Sequence, residues 1–257
     1  LDDELLELMY HAGFSHLNLA LVSSDKTVRE TTKRPHTVEA YLKVVRKAHA
    51  LGFKVVSYQI LGLPNESLES MIQTLAFNAR LPVLLGASPF YRTPDAPIAR
   101  GLPLTETDYV RARLTAMAIE TEAFCRDEIY TLFVTTRILN FLKGLPLHTS
   151  MDFETLMKQR SLKPRIEIGL ELLRELAESG RMYFWTKHGL IENKRFRAEL
   201  FRRVISQART ITCQNGKAIG VGKAFYSFSE RRQGMKASNG QFLCSCTDLE
   251  RFPFTAI

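Results

Sequence analysis

The chain has 257 residues, of which 45% are hydrophobic and 24% charged, so it is long enough and apolar enough to bury a substantial core. Its formal net charge of +8 favours acidic partners such as nucleic acid or phosphorylated substrates. No apolar run approaches the roughly 20 residues of a membrane helix, and the given sequence does not open with a signal-peptide pattern. We therefore expect a cytoplasmic protein with no membrane partner.

Three strands alternate with helices over residues 1–100, and such alternation predicts a parallel sheet with right-handed crossovers. The predicted helices span 3–12, 37–51 and 66–81, and the predicted strands span 17–22, 53–61 and 83–88. Three strands cannot close a barrel. Because the chain opens at Leu1 in a helical pattern, we expect further strands before it, and we predict an α/β partial barrel; the alternative is a small open sheet.

Polar residues interrupt two of the predicted strands. Ser57 and Gln59 alternate with apolar neighbours, and Asn18 occupies the first strand. A strand covered on both faces should be apolar throughout, whereas a barrel strand can point polar groups into a ligand-holding lumen. We predict that Asn18, Ser57 and Gln59 face such a lumen; the alternative is a set of hydrogen-bonded core residues.

The stretch from Ile60 to Ser67 joins the second strand to the following helix, at the carboxyl edge where ligands bind in α/β barrels. Gly62 permits close backbone approach, Pro64 stiffens the turn, and Asn65 or Ser67 can cap the helix. A well-made strand-to-helix loop would show the same features.

Residues 101–210 form a second, mainly helical region, with helical patterns over 105–143, 164–179 and 194–208, and we expect 211–257 to be a weakly ordered tail. Lysines and arginines concentrate over 187–209. This segment is interpreted either as a charged helix that covers a core or as a surface for nucleic acid. The four cysteines are irregularly spaced and form neither a disulfide framework nor a zinc site; they are Cys125, Cys213, Cys244 and Cys246.

The order of motifs along residues 5–100 resembles the last three strand-helix units of the radical S-adenosylmethionine (SAM) superfamily. The motifs that carry the resemblance are Ala12-Gly13-Phe14, Leu19-Ala20-Leu21-Val22-Ser23-Ser24, Arg34-Pro35-His36-Thr37, Ala50-Leu51-Gly52-Phe53-Lys54-Val55, Ile60-Leu61-Gly62-Leu63-Pro64-Asn65-Glu66-Ser67 and the run from Ser88 to Pro97. The resemblance implies SAM as a cofactor and leaves cobalamin open as a further one.

By resemblance, Ser23 and Ser24 lie near the ribose and methionine portions of SAM, with Ala20 in place of the usual glycine. Ile60, Gly62, Pro64 and Glu66 match the strand and turn that support the adenine, but Tyr58 stands where a glycine is common. Tyr91 and Arg92 follow the last strand, where substrate should approach. The predicted cofactor-binding residues are therefore Asn18, Ser23, Ser24, Ser57, Gln59, Ile60, Gly62, Pro64 and Glu66.

In this superfamily, the three cysteines of a C-x-x-x-C-x-x-C loop bind the [4Fe–4S] cluster. This spacing occurs nowhere in the sequence. Cys244 and Cys246 alone are too few for a second cluster. The resemblance implies that an N-terminal half outside this chain supplies the thiolates, that the whole protein cleaves SAM to a 5′-deoxyadenosyl radical acting on a small molecule, and that this chain alone is inactive. The alternatives are an RNA-modifying member of the superfamily and a noncatalytic α/β binding module.

Overall fold

The computed structural model describes residues 1–34, 36–91, 105–107, 120–143, 169, 172–173, 175–186, 189–213 and 215–220. A three-stranded parallel sheet forms its centre, in the order β1 (His16–Val22), β2 (Lys54–Leu61) and β3 (Val83–Pro89). Around it lie α1 (Asp3–His11), the short α2 (Lys26–Thr31), α3 (Val38–Leu51) and α4 (Leu68–Ala79). The predicted parallel α/β arrangement is confirmed, and the described strands do not close into a barrel.

Side-chain caps fix where the helices begin. Asp2 accepts a hydrogen bond from Leu5 N, Thr37 from Ala40 N and Ser67 from Ser70 N, so each cap satisfies one of the free N–H groups of a first turn. Gly52 ends α3 in the left-handed conformation that glycine adopts without steric cost. Helix α2 was not predicted, and its N-cap is Asp25, which accepts hydrogen bonds from Thr27 N and Val28 N.

One face of the sheet packs against helices, and two apolar clusters form there. The first joins α1 and α3 to the amino-terminal half of the sheet through Leu6, Leu17, Val45, Val55 and Val83. The second joins α4 to two later helices, α5 (Arg126–Lys143) and α6 (Ala198–Ala208), and contains Met71, Leu75, Leu132, Leu139, Phe201 and Val204. The C-terminal helices therefore cover the outer side of α4.

Helix α5 also protects the free edge of β3. The Asn140 side-chain amide donates to Leu85 O and accepts from Leu85 N, both at 2.9 Å. These two hydrogen bonds replace those that the backbone of a neighbouring strand would make. Lys143, which is fully buried, donates to Leu81 O at 2.6 Å and Val83 O at 2.7 Å. Burial lowers the pKa of Lys143 to about 7, although these carbonyl oxygens favour its charged form. Among the described residues, the sheet therefore ends at β3.

The region after β3 differs from the predicted helices in two places. Residues 120–125 form a turn rather than part of a long helix, because Cys125 N donates to Glu128 Oε2 at 2.7 Å and starts α5 there. Two hairpins were not predicted, because their strands are too short for a clear period: β4 (Tyr183–Thr186) with β5 (Gly189–Glu192), and β6 (Thr210–Thr212) with β7 (Ala218–Gly220). The second hairpin lies where the predicted tail begins.

Candidate functional site

The carboxyl ends of the three strands meet at one edge of the sheet because the strands are parallel. The loops that leave this edge are 22–25, 61–67 and 89–91. Ligands of parallel α/β proteins bind at this edge. The predicted site residues therefore belong to one region of the fold, although their side chains point in different directions.

The loop after β1 is fastened to α4. Ser23 Oγ lies 3.2 Å from Ser70 Oγ, and Ser24 Oγ lies 3.0 Å from Thr74 Oγ1, whose hydroxyl also accepts from Ser24 N at 2.9 Å. Ser23 is fully buried and Ser24 half-buried. Arg29 donates to the carbonyls of both serines. These hydroxyls hold the loop in place, and Ser23 does not face an open surface.

The turn after β2 uses its backbone N–H groups internally. Gly62 has φ of 80°, and its N–H donates to Met71 Sδ at 3.0 Å. A Cβ at position 62 would lie 3.0 Å from Ile129 Cδ1 and 3.3 Å from Phe124 Cε2. The side chains that approach Gly62 closely therefore come from the start of α5 and from the turn before it. Pro64 is half-buried, beyond this contact.

Glu66 is the buried acid of this turn, with 1% of its surface exposed. Its Oε2 accepts from Leu63 N at 3.2 Å, and its Oε1 has no partner among the described residues. Burial raises the pKa of Glu66 to about 8, the nearby Asp25 raises it further, and the Leu63 N–H opposes the shift. At neutral pH this carboxyl group is therefore mainly protonated and can donate a hydrogen bond.

Ser57 and Gln59 face the helices, so the prediction that they face a lumen is wrong. Ser57 Oγ and Tyr41 Oη each donate to Asn78 Oδ1 at 3.1 Å, and Asn78 Nδ2 donates to Gln59 Oε1 at 3.3 Å. Both strand residues are buried, Ser57 fully. These contacts match the alternative interpretation, hydrogen-bonded core residues. The pleat of the strands explains the error. Side chains of neighbouring residues in a strand point to opposite faces, and the predicted set combined residues from both faces of the sheet.

The opposite, open face of the sheet carries the residues that a ligand can reach. The registers Asn18↔Val56 and Tyr58↔Gly86 place these positions on one face, with Ser88 beside Ile60 toward the carboxyl edge. Asn18 and Ser88 are exposed, and Tyr58 is 47% exposed. Asn18 therefore lies on the face opposite the helices, and its role in binding a cofactor stays a prediction. The sequence analysis did not place Tyr58 and Ser88 on this exposed face, although both share the face of Asn18 and Ile60 once the strands are paired.

Two further predicted residues lie at the carboxyl end of β2 and after β3. Ile60 is half-buried and packs with Val22, Leu63 and Phe90. Tyr91 is 41% exposed and follows β3, as predicted. Arg92 lies outside the described residues.

The basic segment 187–209 packs an apolar face inward. Phe196 and Phe201 are buried in the cluster that joins α4, α5 and α6, which supports the interpretation as a charged helix over a core. Arg203 pairs with Glu69 at 2.6 Å, and residues with exposed cations on the outer side include Lys194, Arg195 and Arg202.

Possible metal ligands lie apart from one another in the part of the chain that the structure describes. Within the described part, no group of three or more His, Cys, Asp or Glu side chains could hold a metal ion. Cys244 and Cys246 lie outside it. No helix among the described ones has both the length and the apolar character needed to cross a bilayer.

Comparison with known families gives one match. Residues 1–77, from α1 to nearly the end of α4, match the family model of the radical SAM superfamily. The match supports a relation of this segment to the radical SAM superfamily, and the segment contains β1, β2 and the turn with Gly62 and Glu66. A search of curated proteins found no match.

Proposed function

We propose that this chain is the second half of a radical SAM catalytic domain and binds the adenosyl part of SAM at the carboxyl edge and open face of its sheet. The supporting observation is the match of residues 1–77 to the superfamily, over strands whose open face presents Asn18 and Ile60 to solvent. The half-buried Ile60 and the exposed Asn18 are suited to a ligand with an apolar ring and polar ribose groups.

The chain's own residues do not fit a [4Fe–4S] cluster. The sequence has no C-x-x-x-C-x-x-C spacing, and the described residues form no metal-binding group. The superfamily's chemistry, reductive cleavage of SAM to a 5′-deoxyadenosyl radical that takes hydrogen from a substrate, therefore needs thiolates from outside this chain. The chain is proposed to supply the binding surface, and a small molecule is the proposed substrate.

Anaerobic reconstitution with iron and sulfide tests this division of roles. The chain alone should show no cubane absorption, while it should bind S-adenosylhomocysteine in calorimetric titration. The longer protein encoded upstream should carry a three-cysteine loop, take up the cluster and release 5′-deoxyadenosine with dithionite. A stoichiometric cluster on the chain alone, or an upstream sequence without that loop, contradicts the proposal; the second result favours a noncatalytic binding module.

RNA is a second candidate substrate, favoured by the exposed cations of Lys194, Arg195 and Arg202 on the outer side of α6 and its preceding turn. Phosphate contacts by such groups make binding steeply salt-dependent. Arg195→Ala with Arg202→Ala should then weaken tRNA binding and reduce its salt dependence. Arg197→Ala is the matched control, because Arg197 already pairs with Asp127 at 3.6 Å. Equal tRNA binding by all variants contradicts this candidate.

A further inference from the structure

The outer edge of β1 is uncovered, whereas α5 protects the outer edge of β3. No described strand lies beyond β1 in the sheet. Lys54 N donates to Ser15 O at 2.9 Å, and in a parallel ladder alternate residues direct their backbone groups to the same side. The N–H and C=O groups of His16, Asn18 and Ala20 therefore point away from β2. All three residues are exposed, and no described residue bonds to these backbone groups, so this edge can accept another strand.

Helix α1 lies on the β1 side of the helical layer. In α3, the Tyr41 hydroxyl donates to Asn78 of α4, whereas Lys43 pairs with Asp3 of α1 at 3.5 Å. Two residues along a helix differ in direction by about 200°, so α1 and α4 pack on opposite sides of α3. Because α4 connects β2 to β3, the side of α3 that holds α1 is the side of the free edge of β1.

The outer side of α1 carries an apolar stripe, which consists of Leu1, Leu5 and Leu8. Leu5 and Leu8 are exposed over 43% and 60% of their surfaces, and Leu1 continues the stripe by another turn. Leu5 lies two residues after Asp3, so its side chain points about 200° away from the contact with α3. The free edge of β1 and the α1 stripe are therefore uncovered on the same side of the fold. A further strand with its own helix would cover both.

The handedness of the connections sets the direction of such a strand. Helices α1, α3 and α4 lie on one face of the sheet, and parallel strands joined through a helix are almost always connected in the right-handed sense. With the order β1, β2, β3, this rule places a strand that leads into α1 on the outer side of β1 and parallel to it. A parallel strand also brings its carboxyl end to the edge where the loops 22–25 and 61–67 lie, which an antiparallel strand would not.

We propose that the free edge of β1 and the α1 stripe bind a parallel strand, and the helix before it, from the cluster-binding half of the same polypeptide. This assignment rests on the proposed function, because that function places the cluster thiolates outside this chain. It adds the surface that joins the two halves and the direction of the joining strand. The loop that follows this strand then lies beside the loop 22–25, at the edge proposed for the adenosyl group.

Residue-resolved hydrogen exchange on the chain and on the longer protein encoded upstream tests the strand edge. In the chain alone, the amides of His16, Asn18 and Ala20 should exchange freely. In the longer protein they should exchange at least about tenfold more slowly. The amides of Leu17 and Leu19, which face β2, are the internal control and should stay slow in both proteins. Outer amides that exchange equally fast in both proteins overturn the proposal.

A paired substitution tests the α1 stripe. Leu5→Glu with Leu8→Glu should lower the melting temperature of the longer protein by about 10 °C, because two carboxylates would be buried, and that of the chain alone by less than about 2 °C. The matched control is Leu190→Glu with Ile191→Glu, two apolar residues of β5 that are exposed to a similar degree. The control should change both proteins by the same small amount. An equal change in both proteins from the Leu5 and Leu8 pair contradicts the proposal.

Two further measurements separate this proposal from its alternatives. Slow exchange of the outer amides in the chain alone, together with a dimer in light scattering, would assign the surface to a second copy of the chain and overturn the proposal. A longer protein that covers the edge but takes up no cluster argues against the proposed function and leaves the docking of a parallel strand standing. Cluster uptake by a longer protein whose outer amides stay fast supports the proposed function and overturns the docking surface.

Discussion

The two faces of β2 carry polar side chains with opposite roles. On the helix-facing side, Ser57 and Gln59 are buried and bonded to Asn78. On the open side, Tyr58 has a hydroxyl without a bond to the described residues and is 47% exposed. Polarity alone therefore does not distinguish a structural residue from a ligand-binding one. The partners of each polar group do, since a group already paired inside the fold gains nothing from a ligand.

The largest effect on stability is expected from Asn78→Ala, which removes the buried hydrogen bonds on the helix-facing side of β2. The substitution removes the acceptor for the Tyr41 and Ser57 hydroxyls and the donor to Gln59. Leaving several buried groups unpaired should lower the free energy of unfolding by about 3–5 kcal/mol. Urea unfolding at neutral pH measures this difference. A loss below about 1 kcal/mol would show that these hydrogen bonds contribute little to stability.

A pH-dependent effect on stability is expected from Glu66. Because its pKa is raised to about 8 in the folded state, the folded protein holds a proton that the unfolded chain loses near pH 4.5. This contribution to stability is complete below pH 4.5 and is lost as the pH rises through 8. The slope should reach about 1.4 kcal/mol per pH unit at most. Urea unfolding at pH 5, 6.5 and 8 should show wild type losing stability relative to Glu66→Gln; parallel curves would mean that Glu66 titrates normally.

The smallest effect on stability is expected from Asn18→Ala, the open-face counterpart of Asn78→Ala. Asn18 is exposed, so the free energy of unfolding should change by less than about 0.5 kcal/mol. Binding of S-adenosylhomocysteine should weaken roughly five- to tenfold if Asn18 contacts the adenosyl group, as expected for one lost hydrogen bond. Calorimetry measures this change. Unchanged affinity would remove Asn18 from the proposed site, and a large loss of stability would contradict its exposed position.

Local signals predicted most of the first 90 residues. The period of apolar residues, the caps at Thr37 and Ser67 and the glycine at 52 place α3 and α4 within two residues of the predicted ends. Helix α2 was not predicted because six residues show no clear helical period. The turn before α5 was not predicted because Cys125 is not a typical cap residue. The start of α5 at Cys125 depends on the hydrogen bond to Glu128, three residues later.

The candidate site was predicted in part. The carboxyl edge follows from strand order and chain direction, so the positions of Ile60, Gly62 and Glu66 at one edge could be expected. The side chains that pack against Gly62 could not be predicted, because Ile129 and Phe124 come from a segment more than sixty residues away. The raised pKa of Glu66 likewise depends on burial by the assembled fold.

The sequence by itself determined the α/β alternation and the parallel sheet, because these depend on short-range periods. Its local motifs also predicted the superfamily whose family model matches residues 1–77. The tertiary structure alone decided which polar residues are structural, because burial and hydrogen-bond partners depend on strand register and on helices far away in the chain. Ser57 and Tyr58 are adjacent in sequence, yet the pleat of β2 and the position of α4 give one to the core and the other to the open face.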